Sequence, residues 1–490
     1  MSRGKLPART PVLVGWATVS QREDDPLRAR EPLALMIDAC RKAGSSSLLR
    51  AVERIYVPRG RWRYRNPGGA IARTIGADNA TSVLAHVGVL QQTLFGDACQ
   101  RIRDGDISTA MIVGGDAGYR LQRARIAGIR ADDSQQSDDP DDIWSPEEDL
   151  LHPAELRAGL GAAVGLYALL HSAFTAGGDS EDHRQRIAGL MSRLSQIAAD
   201  NPQAWTRQAL TAQDILEPGP KNAMQAFPYT RLHCANWSVD QAACLILCSA
   251  ERAVELGVDP DRWIFPVASS ESNHMVPVSA RPRLDQCTGA RLAGEAALAA
   301  AGIASSDLDF VELYSCFPIA LESYAQALGL PLDRPLSVTG GMAMAGGPFN
   351  NYVLQATCRM ADLLIASGAE RPRSGLVSSV SGILTKQGFG IWSNQPLAPF
   401  AAIDVSAEVA AAEPPVPVAM DYDGSARVLA CTTLHDKGQR TSAVVIAETL
   451  DRRRIVASST DEAIMTLIER GELPGTPITV SGGCQFSTAS

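Results

Sequence analysis

Stretches with strand-like and helix-like hydrophobic patterning alternate along the first 118 residues. The run "PVLVGWATV" (11–19) predicts a strand, "EPLALMIDACRKAG" (31–44) has the spacing of a helix, and "AVERIYVPRG" (51–60) predicts a second strand. Residues 82–118 continue with a strand, a glycine turn, a helix and another strand. Continuous apolar strands joined through helices are typical of a buried, largely parallel sheet.

The same order of elements returns in the second half of the chain. Residues 307–330 give a strand and a helix, and residues 346–382 give a glycine turn, a helix and a strand. This repetition predicts two related α/β halves. The stretch 119–235 between them reads as long and irregular. It contains a small-residue helix at 155–174 and an acidic segment at 131–150, which we interpret as a solvated insertion.

Beyond residue 404 the pattern changes to short strands. The Ala- and Pro-rich stretch 407–420 predicts a linker, and the runs that follow predict four strands and one helix, "DEAIMTLIERG". Residues 405–490 therefore form a small, mainly β domain. Its 11 acidic and 7 basic residues give a net charge of -4, which disfavours nucleic-acid binding by this domain.

Composition and charge narrow the class of protein. The 490 residues carry a net charge of -9, so a surface built for nucleic acid is not expected. The start "MSRGKLPART" lacks the apolar core of a secretion signal, and no apolar run is long enough to span a bilayer. We therefore expect a cytoplasmic protein. The ten cysteines occur singly in apolar runs without C-x-x-C pairs, which predicts reduced core thiols and no metal site.

Four motifs together carry a family resemblance. In chain order they are "DGDISTAMIVGG", "SVDQAACLILCSAERAVELGV", "FVELYSCF" and "GGMAMAGGP". Over residues 10–400 the chain resembles the thiolase superfamily, especially its sterol-carrier-type and thiolase-like (acetyl-CoA acetyltransferase-like) members. The resemblance implies an α/β thiolase fold, with two duplicated βαβαβαββ halves in a five-layer αβαβα arrangement.

The resemblance also implies a domain organisation. The parts are an N-terminal half at 1–118 and 236–258, an inserted loop domain at 119–235, a C-terminal half at 259–404, and the additional β domain at 405–490. The last of these resembles the OB-like barrel that some thiolase-like proteins carry. We expect it to pack against the thiolase-like body or to gate its cleft.

The catalytic positions of the family fall on unusual residues in this chain. In thiolases a cysteine at a helix N-terminus attacks the acyl-CoA, while a histidine and a second cysteine move protons. The resemblance places these positions, and that of the oxyanion-hole asparagine, on Gly88, Gly347, Val380 and Tyr314. Since glycine and valine cannot act as nucleophile or base, we expect ordinary thiolysis and Claisen condensation to be absent.

Other side chains are candidates for chemistry or binding. Cys316, Tyr314 and His86 are weak catalytic candidates. The family's CoA-contacting regions suggest five binding residues, namely Ser269, Ser270, His274, Phe317 and Arg231.

These observations favour a binder of CoA or acyl-CoA in lipid, fatty-acid or sterol metabolism, with no tightly bound cofactor. It would be a monomer or homodimer, or an accessory subunit. An active acyltransferase that uses substitute residues such as Cys316 remains an alternative, and so does a non-catalytic interaction module. The sequence does not indicate the acyl chain or the pathway.

Overall fold

The structure is a computed structural model that describes residues 6–175 and 180–488. Its strands are β1 (Pro11–Gln21), β2 (Arg54–Pro58), β3 (Thr81–Ala85), β4 (Thr109–Ala117), β5 (Asp142–Trp144), β6 (Met224–Ala226), β7 (Tyr229–Thr230), β8 (Asp240–Ser249), β9 (Phe265–Ser272), β10 (Phe310–Glu312), β11 (Ser374–Ser381), β12 (Lys386–Ser393), β13 (Ala401–Asp404), β14 (Gly424–Asp436), β15 (Gln439–Thr449), β16 (Arg454–Ser459), β17 (Pro477–Ser481) and β18 (Gln485–Thr488).

The α-helices are α1 (Pro32–Ala43), α2 (Ser46–Arg50), α3 (Pro67–Ile75), α4 (Gln91–Asp104), α5 (Gly118–Ala127), α6 (Pro153–Arg157), α7 (Ala163–Phe174), α8 (Ser180–Asp200), α9 (Ala212–Leu216), α10 (Ala250–Glu255), α11 (Thr288–Ala301), α12 (Pro318–Leu328), α13 (Tyr352–Ala366), α14 (Ser406–Ala412) and α15 (Glu462–Glu469).

Two sheets with matching strand arrangements form the body of the molecule. The first has the order β1-β8-β4-β2-β3-β5 and the second the order β10-β11-β12-β9-β13. In the first, β2 runs parallel to β4, and β8 pairs antiparallel with both β4 and β1. In the second, β10 runs parallel to β11, and β12 pairs antiparallel with both β11 and β9. The predicted duplication is therefore confirmed.

Helices place these sheets in five layers. Helices α4 and α13 touch each other and lie between the sheets, since α4 contacts β4 and β9 while α13 contacts β8 and β11. Helix α1 covers the outer face of the first sheet against β1 and β8, with α3 beside it. Helix α11 covers the outer face of the second sheet against β9 and β12, with α12 beside it. The five-layer αβαβα expectation is confirmed.

The stretch 119–235 contains four complete helices, α6 to α9, and most of α5, so its interpretation as irregular throughout is wrong. Helix α8 buries Ile187, Leu190, Met191 and Leu194, which have the i, i+3, i+4, i+7 spacing of one helix face. The predicted helix at 155–174 is split into α6 and α7. The break lies at Gly159, whose φ of +88° is a left-handed conformation that glycine adopts at little cost.

The acidic segment is mostly exposed, as expected, but it is attached to the first half. Strand β5 lies within it and pairs parallel with the outer edge of β3. Arginines of the first half hold its carboxylates, with Arg54 paired to Asp142 and Arg73 paired to Asp138. Its charges are therefore partly balanced within the chain.

The C-terminal strands close into a five-stranded barrel. The order is β14-β15-β16-β18-β17, and β17 pairs back to β14. Helix α15 connects β16 to β17, which are the third and fourth strands of the barrel in chain order, and β16 runs parallel to β18. This connectivity is that of an OB-like barrel. Sequence patterning predicted four of its strands and α15, and missed β18.

The barrel is attached to the rest of the molecule on two sides. Helix α14 occupies the start of the predicted linker and packs against α11, so this stretch is not an extended spacer. On the other side, β6 pairs with β14 through Ala226 and Leu434, and α7 packs against β14. The inserted stretch therefore connects the barrel to the two-sheet body.

No helix among the described residues is long and apolar enough to cross a membrane.

Candidate functional site

An apolar cleft of about 290 Å³ lies where α7, the start of α12 and the loop after residue 339 meet. Its aromatic lining residues are Tyr167, Trp237, Tyr314, Phe317 and Phe349. The remaining lining residues are Val87, Leu150, Leu151, Gly161, Ala163, Leu166, Ala235, Cys316, Met342, Gly347, Pro348, Asn350, Val380, Ser381, Gly382 and Ile383. Within the described ranges, this lining contains no histidine, carboxylate, lysine or arginine.

A buried carboxylate holds one wall of the cleft in place. Glu312, at the end of β10, accepts hydrogen bonds from the backbone N–H groups of Val338 and Thr339 at 2.7 and 2.9 Å. It also accepts from the hydroxyls of Ser337 and Tyr352. Burial raises the pKa of this carboxyl above its usual value. The network fixes the chain just before the glycine-rich loop.

The glycines of this loop permit close backbone approach. A Cβ on Gly340 would lie 2.4 Å from Ala198, and one on Gly346 would lie 2.3 Å from the Gln241 side chain. Both glycines also have left-handed φ values, +97° and +102°. Larger residues at either position would therefore push the loop away from its neighbours.

The structure brings together three of the four residues on which the motif resemblance places the catalytic positions of thiolases. Tyr314, Gly347 and Val380 all line the cleft. A Cβ on Gly347 would lie 3.1 Å from Cε of Met342, so a large side chain there requires this methionine to move. Burial raises the pKa of the Tyr314 hydroxyl above its usual value, so at neutral pH this group carries its proton.

The fourth position, Gly88, lies beside the cleft next to the lining residue Val87. Its φ is +107°, and a Cβ there would lie 2.5 Å from Cγ of Pro146. Helix α4 begins three residues later, at Gln91. Pro146 therefore occupies the space that a side chain at position 88 would need.

Cys316 is the one thiol in the cleft lining. Its side chain is buried, and it contacts the Tyr167 hydroxyl. Burial raises the pKa of the Cys316 thiol to about 12. Because the thiolate is the nucleophilic form, this environment does not activate the sulfur.

His86 is not part of the cleft lining. Its Nδ1 lies 2.9 Å from the hydroxyl of Ser145, and its Nε2 lies 3.2 Å from the guanidinium of Arg59. Burial, and secondarily the charge of Arg59, lower the pKa of the imidazole. Both ring nitrogens already have partners, and the structure does not place His86 and Cys316 in one site.

The five predicted binding residues are dispersed. Phe317 lines the cleft. Ser269 and Ser270 are buried in β9, where their hydroxyls bond Gln92 and the carbonyl of Ala293. His274 lines a separate small pocket, and the Arg231 side chain is exposed. The structure thus brings one of the five to the cleft, and contact of the other four with a ligand stays a prediction.

Sequence reasoning missed three aromatic residues of the cleft. The Tyr167 ring stacks on Phe317 with centroids 4.4 Å apart, and Trp237 meets Phe349 edge to face at 5.7 Å. Trp237 ends the run "HCANW", and Phe349 follows the last glycine pair and its proline. A large apolar residue beside a glycine-rich loop was the signal that could have identified Phe349.

No model of a known protein family matches the chain. Among solved structures, it is similar to a monomeric SCP2-thiolase-like protein type 1 from Mycobacterium smegmatis, with 25% sequence identity and a TM-score of 0.83. That match covers 99% of this chain and 100% of the other, so it includes the barrel.

Two further solved structures match a shorter part of this chain. The dimeric peroxisomal thiolase of Saccharomyces cerevisiae is 14% identical, covering 80% of this chain and 99% of its own at a TM-score of 0.57. An acetyl-CoA acetyltransferase from Syntrophomonas wolfei is 16% identical, covering 79% and 100% at a TM-score of 0.56. At these identities the likeness concerns the fold.

Proposed function

We propose that this protein, a thiolase-like member of the thiolase superfamily, binds CoA or an acyl-CoA and does not carry out the thiolase reaction. The observation that carries this proposal is the composition of the cleft. Tyr314, Gly347 and Val380 stand together in an open, apolar cavity, and among the described residues its lining includes no side chain able to serve as base. The cavity is suited to an acyl group or the thiol end of pantetheine.

The main alternative is an acyltransferase that uses Cys316 as its nucleophile. Position favours this alternative, because Cys316 lines the cleft. The chemistry of the site does not, because burial raises the pKa of the thiol to about 12 and the described lining provides no base. A closed interaction module is less well supported than either, since the cleft is open and of ligand size.

We extend the proposal to the setting of the protein. Binding without thiolysis is suited to an accessory protein of lipid, fatty-acid or sterol metabolism, which holds an acyl-CoA without consuming it. The similar Mycobacterium smegmatis protein is described as monomeric, and we propose the same state for this chain.

Calorimetric titration of acetoacetyl-CoA into wild type and two tryptophan variants tests the binding site. Ala163→Trp places an indole at the cleft lining, whereas Val254→Trp changes a residue of α10 that is 65% exposed. We expect Ala163→Trp to weaken binding at least about 10-fold, because about 1.4 kcal/mol of contact is lost when the cavity is filled. Equal affinity in all three proteins would place the ligand elsewhere.

A further inference from the structure

A buried group of three metal-binding side chains joins three helices behind the cleft. His171 lies on α7, His183 on α8 and Glu322 on α12, and each is at most 4% exposed. One ligand atom from each residue lies within 4.8 Å of the other two. No other group of three such residues with this spacing occurs within residues 6–175 and 180–488.

Two atoms of this group lack ordinary hydrogen bonds. Nε2 of His183 and Oε2 of Glu322 lie 3.3 Å apart, and both are buried without a hydrogen bond of normal geometry in the described structure. A buried carboxylate oxygen without a well-aligned donor is costly, and a cation between the two atoms would satisfy both.

The third side chain is prepared to act as a ligand. This side chain is His171, which is buried on α7. Its Nδ1 lies 3.0 Å from the hydroxyl of Tyr229. When Nδ1–H donates to that oxygen, the lone pair of Nε2 is free for a metal, which is the usual arrangement of a ligating histidine and its outer partner.

We propose that His171, His183 and Glu322 bind a divalent transition-metal ion of the Zn²⁺ type. Two imidazoles and one carboxylate are ligands that Zn²⁺ accepts, whereas Mg²⁺ and Ca²⁺ prefer oxygen ligands. Donor atoms around tetrahedral Zn²⁺ lie about 3.4 Å apart, so the side chains need to close by up to about 1.4 Å.

One contact has to open when the ion binds. The guanidinium of Arg186 donates to Nδ1 of His183, which leaves the ring proton on Nε2. Arg186 is on an exposed face of α8, so it can turn into solvent and allow the proton to move to Nδ1. Arg186→Gln supplies an acceptor for this proton, and this variant should bind the ion more tightly than wild type.

The location gives the ion a structural effect on the cleft. The hydroxyl of Tyr229 is hydrogen-bonded to His171. The Tyr229 ring stacks on Phe317 with centroids 5.8 Å apart, and Phe317 lines the cleft. An ion that ties α7, α8 and α12 would hold this aromatic wall in place. This inference goes beyond acyl-CoA binding and does not depend on it.

The test is metal content and Zn²⁺ titration of the full chain after treatment with a chelator. We expect about one Zn²⁺ per chain, no uptake of Mg²⁺, and at least about 100-fold weaker Zn²⁺ binding in His183→Gln and Glu322→Gln. The matched control is His435→Gln, because His435 also lies near a carboxylate, with its Nε2 3.8 Å from Glu469.

Two results would overturn the metal site. The first is no Zn²⁺ uptake by wild type, which would mean that a proton alone joins His183 and Glu322. The second is equal uptake by wild type and both ligand variants, which would assign the ion to other histidines. If the ligand variants do not fold, Arg186→Gln decides the question, and unchanged or weaker affinity in that variant contradicts the proposal.

Discussion

Gly88, Gly347 and Cys316 determine what chemistry the cleft can support. Gly347 places no side chain in the cavity, and Pro146 fills the space beside Gly88. Cys316 is present but buried with a raised pKa. Neither a thiolate nor a base is therefore available at the positions where the thiolase reaction needs them.

Alkylation of Cys316 by iodoacetamide should be slow at neutral pH. With a pKa of about 12, only about one thiol in 10⁴ is ionised at pH 8, so the rate should rise steadily with pH and reach no plateau below pH 10. Mass spectrometry of labelled peptides measures this rate, with the partly exposed Cys484 as the internal comparison. A plateau near pH 7 would favour the acyltransferase alternative.

Restoring a cysteine at position 88 should destabilise the protein without restoring activity. Gly88→Cys puts a non-glycine residue in a left-handed backbone conformation and places its Cβ 2.5 Å from Cγ of Pro146. Together these two effects should lower the free energy of unfolding by about 3 kcal/mol. Gly128→Ala is the control, because Gly128 has a φ of +67° but an added Cβ there would meet no atom within 4 Å, and the change should cost about 1 kcal/mol. Urea denaturation measures both losses. Similar losses of unfolding free energy in Gly88→Cys and Gly128→Ala would show that Pro146 moves aside at little cost.

Among the elements, the glycine-rich loop between α12 and α13 depends on a single carboxylate at the end of β10. Glu312 accepts from two backbone N–H groups and several hydroxyls, while the Ser337 hydroxyl accepts from the N–H groups of Gly340 and Gly341. These bonds satisfy donors that the glycine-rich loop cannot pair within itself. The loop is consequently held in an ordered conformation at the cleft.

Glu312→Gln should therefore lower stability by about 2 to 4 kcal/mol, because its amide N–H₂ replaces an acceptor that faces backbone donors. Urea denaturation monitored by tryptophan fluorescence measures the loss. The control Glu295→Gln changes an exposed carboxylate that pairs with Arg291, and we expect a loss of less than about 0.5 kcal/mol. An equally small effect in Glu312→Gln would show that the network does not anchor the loop.

Elements with a strong local pattern could be predicted from the sequence, and elements defined by distant contacts could not. Helix α4 was predictable because its apolar face is periodic and Gly105, with a φ of +84°, ends it. Strand β5 was missed because three residues in an acidic segment gain their strand structure from pairing with β3. The same distinction applies to the cleft. Sequence motifs identified Tyr314 and Gly347, whereas Trp237 lies outside those motifs and reaches the cleft through the tertiary fold.

At the scale of the whole molecule, one edge of the first sheet is covered by a strand and the other is bridged at one point. Strand β5 pairs with the outer edge of β3, and the Arg54–Asp142 ion pair holds it there. At the opposite edge, the backbone of Leu13 in β1 exchanges hydrogen bonds with Ile264, at the start of the second half. Short or covered edges oppose sheet-to-sheet association between molecules.

The chain should therefore be a monomer of 52.0 kDa in solution. Size-exclusion chromatography with light scattering at micromolar concentration measures the mass. Ile143→Pro, which removes a donor from β5 and loosens the covered edge, should increase association relative to wild type. A wild-type mass of twice the chain would show that a surface other than these sheet edges forms a dimer.

Binding and turnover measured on one sample test the central proposal most directly. Acetoacetyl-CoA and CoA are titrated calorimetrically into the protein, and thiolysis is then assayed in the same preparation. We predict a micromolar Kd and no thiolysis above the uncatalysed rate. Thiolytic turnover would contradict the account, because it would show that the cleft contains a nucleophile and base after all. Absence of binding together with absence of turnover would contradict the acyl-CoA proposal itself.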